Sequence, residues 1–581
     1  MSTEKGFERQ LVADGVVDDE RLTRAKSEAT RTGTSLIHAL TQLGYATSEA
    51  VYRSLAASCA LRFVIPSKME ISEEIGATVP ARFANHYNFV PVQERNGTLV
   101  IAFADPLNVH LVDDIRGALK RRIEVAVTTP EEIQRTQKAL YGVGADTVER
   151  ILSDSDSVAS VLSLDSGAGT SNLGDENIDA SIVKFVNELL AEAVRTSATD
   201  IHMEPFEDQL RVRYRIDGIL HQVPVPPTIR GLHPAIISRI KIMANLNIAE
   251  KRLPQDGKIL ASLGDQKFDL RISILPTPHG ETVSIRILNR SSMYLSLEQL
   301  GYRSEDLNLF SAYLTKPHGM ILVTGPTGSG KTTTLYAALS KLNKLDHKII
   351  TIEDPIEYQL KGVTQMQVHD QIGFNFASAL RSMLRHDPDI MLVGEIRDQE
   401  TAEMAIRSSL TGHLVFSTLH TNDAAGAVTR LTDMSIEPFL IASTMLVSIA
   451  QRLLRTVCPL CAEPMEPGPE LLEELRLCGI EPSGAQFKHG KGCDSCRYTG
   501  YKGRMAIYEI LPFTNAIKEL TVQRAPSMLI KRKAREQGMK TLRECGLTRV
   551  LEGKTTFEEI LRVTADSDAE IGVPVETHAA V

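Results

Sequence analysis

A phosphate-binding loop is the first site that residue types and spacing predict. Residues Gly325–Thr332 read GPTGSGKT and fit the pattern G-x-x-x-x-G-K-[ST] in full. An apolar strand, Met320–Val323, precedes the loop, and a helical run, TTTLYAALSKL, follows it. Glycines let the backbone N–H groups turn toward an anion, which the start of a helix also favours. An ordinary glycine-rich turn is the alternative, but strand, loop and helix together predict a triphosphate site.

The side chains of this loop have separate expected roles. Lys331 is expected to reach the β- and γ-phosphates, and Thr332 to bind Mg²⁺ through its hydroxyl. We therefore predict ATP and Mg²⁺ as ligands. The predicted binding set in this segment is Gly325, Pro326, Thr327, Gly328, Ser329, Gly330, Lys331, Thr332 and Thr333.

Carboxylates follow two further apolar strands. Glu353 and Asp354 end the strand KIITIED, and Glu395 follows the strand Ile390–Val393. Ligands of a parallel sheet bind beyond the carboxyl ends of its strands, where these groups should lie. One carboxylate can hold the Mg²⁺ shell while the other orients the attacking water. The alternative for each is a solvated acid at a strand end.

Two histidines bracket the next strand, HLVFSTLH. His413 begins it and His420 lies just past its end. We expect His420 at the same face as the two carboxylates, where it could sense the γ-phosphate or position water. His413 is kept as a second catalytic candidate. A purely structural role is the alternative for both.

A metal site is predicted from four cysteines, Cys458, Cys461, Cys493 and Cys496, in two C-x-x-C pairs. Four thiolates suit tetrahedral Zn²⁺ and leave no open position, so the site should be structural. The gap of about thirty residues exceeds the usual range of about 15–20. The intervening helix LLEELRLCGI explains the extra length. A redox C-x-x-C is the alternative, and the presence of two pairs disfavours it.

These residues need a multidomain α/β scaffold to position them. Strands alternate with helices around the P-loop, which predicts a parallel sheet. The strictly alternating segment QLRVRYRIDGIL predicts instead an antiparallel hairpin turning at Asp217-Gly218. The predicted regions are a repeated helical unit (1–60), a small α/β part (61–141), a flexible linker (142–177), an α+β domain (178–292), the P-loop core (300–455), the zinc module (456–510), a helical region (511–565) and a disordered tail (566–581).

Composition and charge narrow the function classes. The formal net charge of −9 argues against broad contact with nucleic acid, which needs a basic surface. The segment MSTEKGFERQ has no apolar leader core, and the longest apolar tract, Ile441–Leu454, reads as a buried helix. No run reaches the roughly 18 apolar residues of a membrane span. We expect a cytoplasmic protein, and any membrane association should be peripheral, through a partner.

Four stretches in a fixed order carry a family resemblance: GPTGSGKTTTLYAAL, TIEDPIEY, DPDIMLVGEIRD and HLVFSTLHTNDA. Together they resemble the motor ATPases of type II secretion and type IV pilus assembly, the general secretory pathway protein E-like branch of the secretion ATPase superfamily. In that family they are called Walker A, Asp box, atypical Walker B and His box. The likeness spans residues 178–565 and is weaker at the N-terminus. It implies a RecA-like ATPase core.

The resemblance also implies residue roles. Glu353 would activate water, and Glu395 would be the Mg²⁺-associated Walker B acid. The family's preceding domain packs over the nucleotide and donates arginines to it. The candidates for this role are Arg213, Arg215, Arg271 and Arg286. Arginine suits this role because it stays charged and can make bidentate hydrogen bonds to phosphate oxygens. The alternative is that these arginines merely solvate a strand face.

Family members form hexameric rings, bind an inner-membrane platform protein, and use ATP hydrolysis to extrude pilin subunits. The first 141 residues would dock on a further inner-membrane partner. Some relatives bind cyclic-di-GMP there through Arg-Leu-Gly repeats, but this chain has Glu8-Arg9-Gln10 and Arg31-Thr32-Gly33 instead. The leading interpretation is an ATP-hydrolysing assembly motor. Alternatives are a retraction-type ATPase, a DNA-uptake motor and a scaffold that does not hydrolyse ATP.

Overall fold

The computed structural model describes residues 2–106, 109–153, 175–263, 266–289 and 295–565. Two compact units divide the chain, Met1–Leu288 and Asn289–Val581. The predicted tail, 566–581, lies outside the described residues.

Four helices open the first unit, as the repeated sequence pattern predicts. Gly15 and Gly44 both have φ +67°, which glycine adopts without steric cost after a helix. Asp18 caps the second helix, and Thr47 caps the fourth. The helices are α1 (Ser2–Ala13), α2 (Asp19–Thr32), α3 (Leu36–Gln42) and α4 (Ser48–Ser58).

A small four-stranded sheet follows, in the order β1-β4-β3-β2. Its strands are β1 (Arg62–Phe63), β2 (Phe89–Arg95), β3 (Thr98–Phe103) and β4 (Arg122–Val127). Strand β3 lies in the apolar segment TLVIAF, and its residues from Leu99 to Phe103 are buried. The accompanying helices are α5 (Glu73–Ala77), α6 (Ala81–Tyr87), α7 (Val109–Leu119) and α8 (Pro130–Tyr141).

The linker predicted over 142–177 is wrong at both ends. Helix α9 (Ala145–Ser153) begins almost at once, and Val148 is buried in the same core as Phe185. Helix α10 (Asp175–Arg195) includes the last three residues of the predicted linker. In Ala145–Ser153, apolar residues at helical spacing therefore outweigh the polar composition. The remainder, 154–174, lies outside the described residues.

An antiparallel six-stranded sheet completes the first unit, in the order β7-β6-β5-β10-β9-β8. Strand burial alternates as expected, with Val212 and Tyr214 in the core beside α10. Asp217 and Gly218 turn the predicted hairpin with positive φ values of 47° and 87°. The elements are β5 (Ala198–Pro205), β6 (Leu210–Ile216), β7 (Ile219–Val223), α11 (Ile229–Met243), β8 (Gln255–Leu263), β9 (Gln266–Thr277) and β10 (Gly280–Asn289).

A seven-stranded sheet, in the order β13-β12-β14-β15-β11-β16-β19, organises the second unit. The four strands predicted around the P-loop are parallel, and every residue in each of them is buried. Helices therefore cover both faces, as parallel sheets require. The strands are β11 (Gly319–Thr324), β12 (Ile349–Glu353), β13 (Thr364–Gln367), β14 (Ile390–Val393), β15 (Leu414–Leu419), β16 (Met445–Val457) and β19 (Tyr501–Pro512).

The buried helix predicted over Ile441–Leu454 is wrong. Only the short helix Pro438–Thr444 precedes Met445, and the rest is strand β16. It pairs with β11 in parallel and with β19 in antiparallel register. A continuous apolar run does not distinguish a doubly buried strand from a buried helix by periodicity. The open edge beside β11 is what makes this segment a strand.

The helices of the second unit are α12 (Ser304–Leu314), α13 (Lys331–Leu342), α14 (Phe376–Met383), α15 (Gln399–Leu410), α16 (Gly426–Asp433), α17 (Pro438–Thr444), α18 (Pro469–Leu477), α19 (Asn515–Val522), α20 (Ser527–Glu536), α21 (Leu542–Leu551) and α22 (Phe557–Thr564). Strands β17 (Ala462–Pro464) and β18 (Lys488–Gly490) form a separate hairpin around α18, the helix predicted between the cysteine pairs. Among the described residues, no helix is long and apolar enough to cross a membrane.

Candidate functional site

The loop Gly325–Thr332 joins the carboxyl end of β11 to the start of α13, as predicted. Gly325 has φ +144°, and a Cβ there would lie 2.6 Å from the carbonyl oxygen of Gln451. Gly330 has φ +88°, and its Cβ would lie 2.8 Å from Gln451 Nε2. Both positions therefore favour glycine, because the backbone has a positive φ and Gln451 leaves no room for a Cβ. Thr332 and Thr333 lie in the first turn of α13, half-buried.

Gln451 is a site residue that the sequence analysis missed. Its Nε2 donates to the carbonyl of Ser329 at 2.9 Å, and its Oε1 accepts from the Thr334 hydroxyl at 2.7 Å. The side chain thus joins the P-loop to the first turns of α13 while it is itself buried. A strand assignment for Met445–Val457 would have pointed to it, because β16 lies directly beside β11.

Lys331, Glu395 and His420 meet at the carboxyl ends of β11, β14 and β15. His420 Nε2 lies 3.5 Å from a Glu395 carboxylate oxygen, and Arg397 pairs with the same carboxylate. Lys331 Nζ donates to the carbonyls of Gly325 at 2.7 Å and Pro326 at 3.1 Å. The predicted gathering of these side chains is therefore present in the second unit.

The electrostatics of this cluster couple its members. Burial lowers the pKa of Lys331 to about 8, Glu395 opposes that shift, and Arg452 adds to it. Burial also lowers the pKa of His420, Lys331 pushes it the same way, and Glu395 opposes both. His420 is therefore held neutral near pH 7, so it can accept a proton or a hydrogen bond.

The burial and hydrogen-bond partners of Glu353 differ from those of Glu395. It is only 4% exposed, and its carboxylate accepts from the hydroxyls of Tyr336 and Thr351 and from Gln365 Nε2. Burial raises the pKa of Glu353, and these hydrogen bonds oppose the rise. In this arrangement the carboxylate is occupied by protein donors. Glu357, four residues on, is half-buried in the loop that follows β12.

His413 is not brought to the site. It precedes β15, and its carbonyl accepts from the N–H of Gly319, the first residue of β11. It therefore lies at the opposite edge of the sheet from the P-loop, which follows the carboxyl end of β11. Its Nδ1 lies 2.8 Å from the Ser408 carbonyl oxygen. Within this unit His413 is therefore not beside the P-loop, its observed contacts are structural, and a catalytic role for it stays a prediction.

The candidate arginines of the first unit lie on the sheet face opposite its core, and carboxylates lie beside Arg213, Arg215 and Arg286. Arg213 pairs with Glu204 at 2.6 Å. Asp200 pairs with Arg286 at 3.1 Å and approaches Arg215 at 3.9 Å. These contacts fit the solvated strand face of the alternative interpretation. The fourth candidate, Arg271, lies half-buried on β9 between the core residues Leu270 and Ile272. Phosphate contact stays a prediction for all four.

The four predicted cysteines converge. Their sulfur atoms all lie within 4.8 Å of one another. The Sγ–Sγ distances are 3.8 Å for Cys458–Cys493, 3.7 Å for Cys461–Cys496 and 3.8 Å for Cys493–Cys496. Edges of this length match a tetrahedron with Zn–S bonds of about 2.3 Å. The N–H groups of Gly492 and Cys493 also donate to cluster sulfurs, as zinc-bound thiolates require. The residues therefore fit a structural zinc ion.

Comparison with known proteins identifies the family of this chain. Residues 175–562 match the model of the type II/IV secretion system protein family, and residues 59–147 match the MshEN domain. The type IV pilus assembly ATPase PilB of Myxococcus xanthus is 41% identical over 96% of this chain and 98% of that relative. The type II secretion system protein E of Xanthomonas campestris is 42% identical over 94% of this chain and 96% of that relative. A solved structure of the pilus retraction motor PilT with bound ADP aligns at a TM-score of 0.44 with 26% identity, covering 65% of this chain and 96% of that chain. The chain therefore belongs to the type II/IV secretion system protein family, among the secretion and pilus assembly ATPases.

Proposed function

We propose that this chain is a motor that couples ATP hydrolysis to the assembly of a pseudopilus for type II secretion or of a type IV pilus. The observation that carries the proposal is the cluster of Lys331, Glu395 and His420 around a complete P-loop. The relatives named for secretion and pilus assembly, which match almost the whole chain, support an assembly motor over a retraction motor.

The residues of the second unit suit this chemistry. Backbone N–H groups of the P-loop and the start of α13 would bind the phosphates, with Lys331 neutralising their charge. Thr332 and Glu395 would hold Mg²⁺, which neutralises charge that develops on the phosphate oxygens. His420, held neutral, would accept a hydrogen bond from water or contact the γ-phosphate.

The role of Glu353 needs its own test. To activate water, its carboxylate must leave Tyr336, Thr351 and Gln365. Glu357 is the alternative base, because it lies in the loop that directly follows Glu353 and is less deeply buried. If Glu353→Gln retains turnover while Glu357→Gln abolishes it, the base is Glu357. The opposite result assigns the base to Glu353.

Steady-state ATPase measurement on the full chain tests the proposal. Lys331→Ala should abolish turnover because it removes the phosphate-facing cation. Lys341→Ala is a matched control, since Lys341 lies on the same helix, is 43% exposed and pairs with Glu298. Equally slow turnover in the wild type and in Lys331→Ala would contradict the motor proposal and favour a scaffold that does not hydrolyse ATP.

The assembly around this motor is also a proposal. We expect a homo-hexamer at the cytoplasmic face of the inner membrane, bound to a platform protein and to a docking partner of the first 141 residues. Sedimentation with ATP should give six times the monomer mass. Deleting the gene and measuring both the secreted enzymes and the surface pili would identify the machine. Loss of secretion would indicate type II secretion, and loss of pili would indicate type IV pilus assembly. DNA uptake with normal secretion and piliation would instead favour a DNA-uptake motor.

A further inference from the structure

A buried charge cluster lies behind the loop that follows His420. This loop, residues 421–424, is called the His420 loop below. Asp423 Oδ1 accepts the N–H of Gly426 at 2.8 Å, and its carbonyl accepts from Thr421 Oγ1 at 2.8 Å. Its carbonyl also lies 3.4 Å from the hydroxyl of Thr324, the last residue before the P-loop. The His420 loop therefore touches the strand that carries the phosphate-binding loop.

Lys531 reaches this loop from helix α20. Its Nζ lies 3.3 Å from Asp423 Oδ2 and 3.9 Å from Glu509 Oε2. The Lys531 side chain is 12% exposed, and the Glu509 side chain is fully buried on β19. Glu509 also accepts the N–H of Ala424 at 2.9 Å. One lysine and two carboxylates thus join the His420 loop, β19 and α20.

The same loop is held from the P-loop side. Arg452 Nη2 donates to the carbonyl of Asn422 at 2.9 Å, and Arg452 Nη1 donates to the carbonyl of Gln451 at 3.2 Å. Gln451 is the residue that contacts Ser329 in the P-loop. A continuous set of polar contacts therefore runs from the P-loop through the His420 loop to α20.

Buried charges of this kind constrain geometry strongly. Little water screens them, so a small displacement of one member costs much of the interaction. Burial raises the pKa of Glu509 to about 7, Lys531 opposes the rise, and Asp423 adds to it. Lys531 supplies the positive charge that both carboxylates face, and without it Glu509 would hold its proton more tightly and the ionic contact across the loop would be lost.

We propose that Lys531 is a positioning residue for ATP hydrolysis, acting through Asp423 and Glu509 to hold the His420 loop. His420 directly precedes this loop and lies 3.5 Å from Glu395. Movement of α20 is thereby transmitted to His420, and a change at His420 is transmitted to the C-terminal helices. This inference rests on the proposed ATPase function, and it adds a residue from outside the four sequence motifs.

Kinetics of the full-length chain test the proposal. Lys531→Met should lower kcat about tenfold while KM for ATP changes less than about threefold, since the P-loop itself is intact. Lys531→Arg should recover most of kcat because it restores the cation. Lys533→Met is the matched control, since Lys533 lies on the same helix, is 43% exposed and pairs with Glu536. A Lys531→Met enzyme with wild-type kcat overturns the proposal.

A second readout separates this inference from the function on which it rests. Amide hydrogen exchange of a peptide covering residues 419–426 should be faster in Lys531→Met than in the wild type, and unchanged in Lys533→Met. This measurement needs no turnover, so it stands even if the wild type proves inactive. If Lys531→Met does not fold, Asp423→Asn replaces it, because the amide oxygen still accepts from Gly426 while the charge is lost. Unchanged exchange in the folded variant refutes the proposed contact.

Discussion

The cysteine cluster gives a prediction whose size follows from geometry. Three of the six sulfur–sulfur distances are 3.7–3.8 Å, the edge length of a regular tetrahedron around zinc, and all six lie within 4.8 Å. The centre of such a tetrahedron lies about 2.3 Å from each corner, which is the Zn–S bond length of structural sites. X-ray absorption of the purified chain should therefore show four sulfur neighbours at that distance, with one zinc per chain.

The perturbation is Cys493→Ser, which removes one of the four thiolates. We expect zinc loss and a lower thermal midpoint, because three ligands bind the ion less tightly and unneutralised thiolates repel. Cys478→Ser is the control, since Cys478 ends helix α18 and lies outside the cluster. That variant should retain a full zinc complement and the wild-type thermal midpoint.

The nucleotide site should be little affected by this loss. Ala450 of β16 pairs with Thr324 beside the P-loop, and the strand runs on to Val457 just before the first cysteine. Seven residues of strand span about 23 Å. The KM for ATP of Cys493→Ser should therefore stay within about threefold of the wild type. Wild-type protein with little zinc and four freely reactive cluster thiols would refute the metal assignment. A large rise in the KM for ATP of Cys493→Ser, with an unchanged thermal midpoint, would show that the cysteine cluster does affect the nucleotide site.

Two further predictions test the P-loop and the buried carboxylate. Gly325→Ala should abolish ATP binding because its Cβ would lie 2.6 Å from a carbonyl oxygen, whereas Gly328→Ala, at φ +79° in open space, costs only about 1–2 kcal/mol of strain. Calorimetric titration compares them, and equal affinities would contradict the geometry. The second concerns Glu509, whose pKa is raised from 4.5 to about 7 by burial. The folded chain holds this proton more tightly than the unfolded chain, so the stability it contributes is present at low pH and lost as pH rises toward 7. Between pH 5.5 and 8 the wild type should lose about 2 kcal/mol relative to Glu509→Gln in parallel thermal melts, and parallel curves would disprove the shift.

Local sequence patterns were sufficient to predict the P-loop, the four parallel strands around it, the cysteine ligands and the family. These features are local: a strand, a glycine-rich turn and a helix follow one another within a few residues, and each strand places its terminal acid or histidine at a known edge. That is why Lys331, Glu395 and His420 were predicted together and are found together. The cysteine pairs likewise fix four thiolates at two short spacings.

Tertiary structure alone decided the residues that act across the chain. The apolar run that forms β16 carries no periodicity to separate strand from helix, so Gln451 and Arg452 could not be placed beside the P-loop. The Glu509 carboxylate meets the His420 loop from 85 residues away, through a contact that no local pattern encodes. Glu353 is a second example. Its position at a strand end was predictable from the local pattern, but its burial among hydrogen-bond donors was not. Burial and partner choice depend on which elements pack together, and only the folded chain determines that.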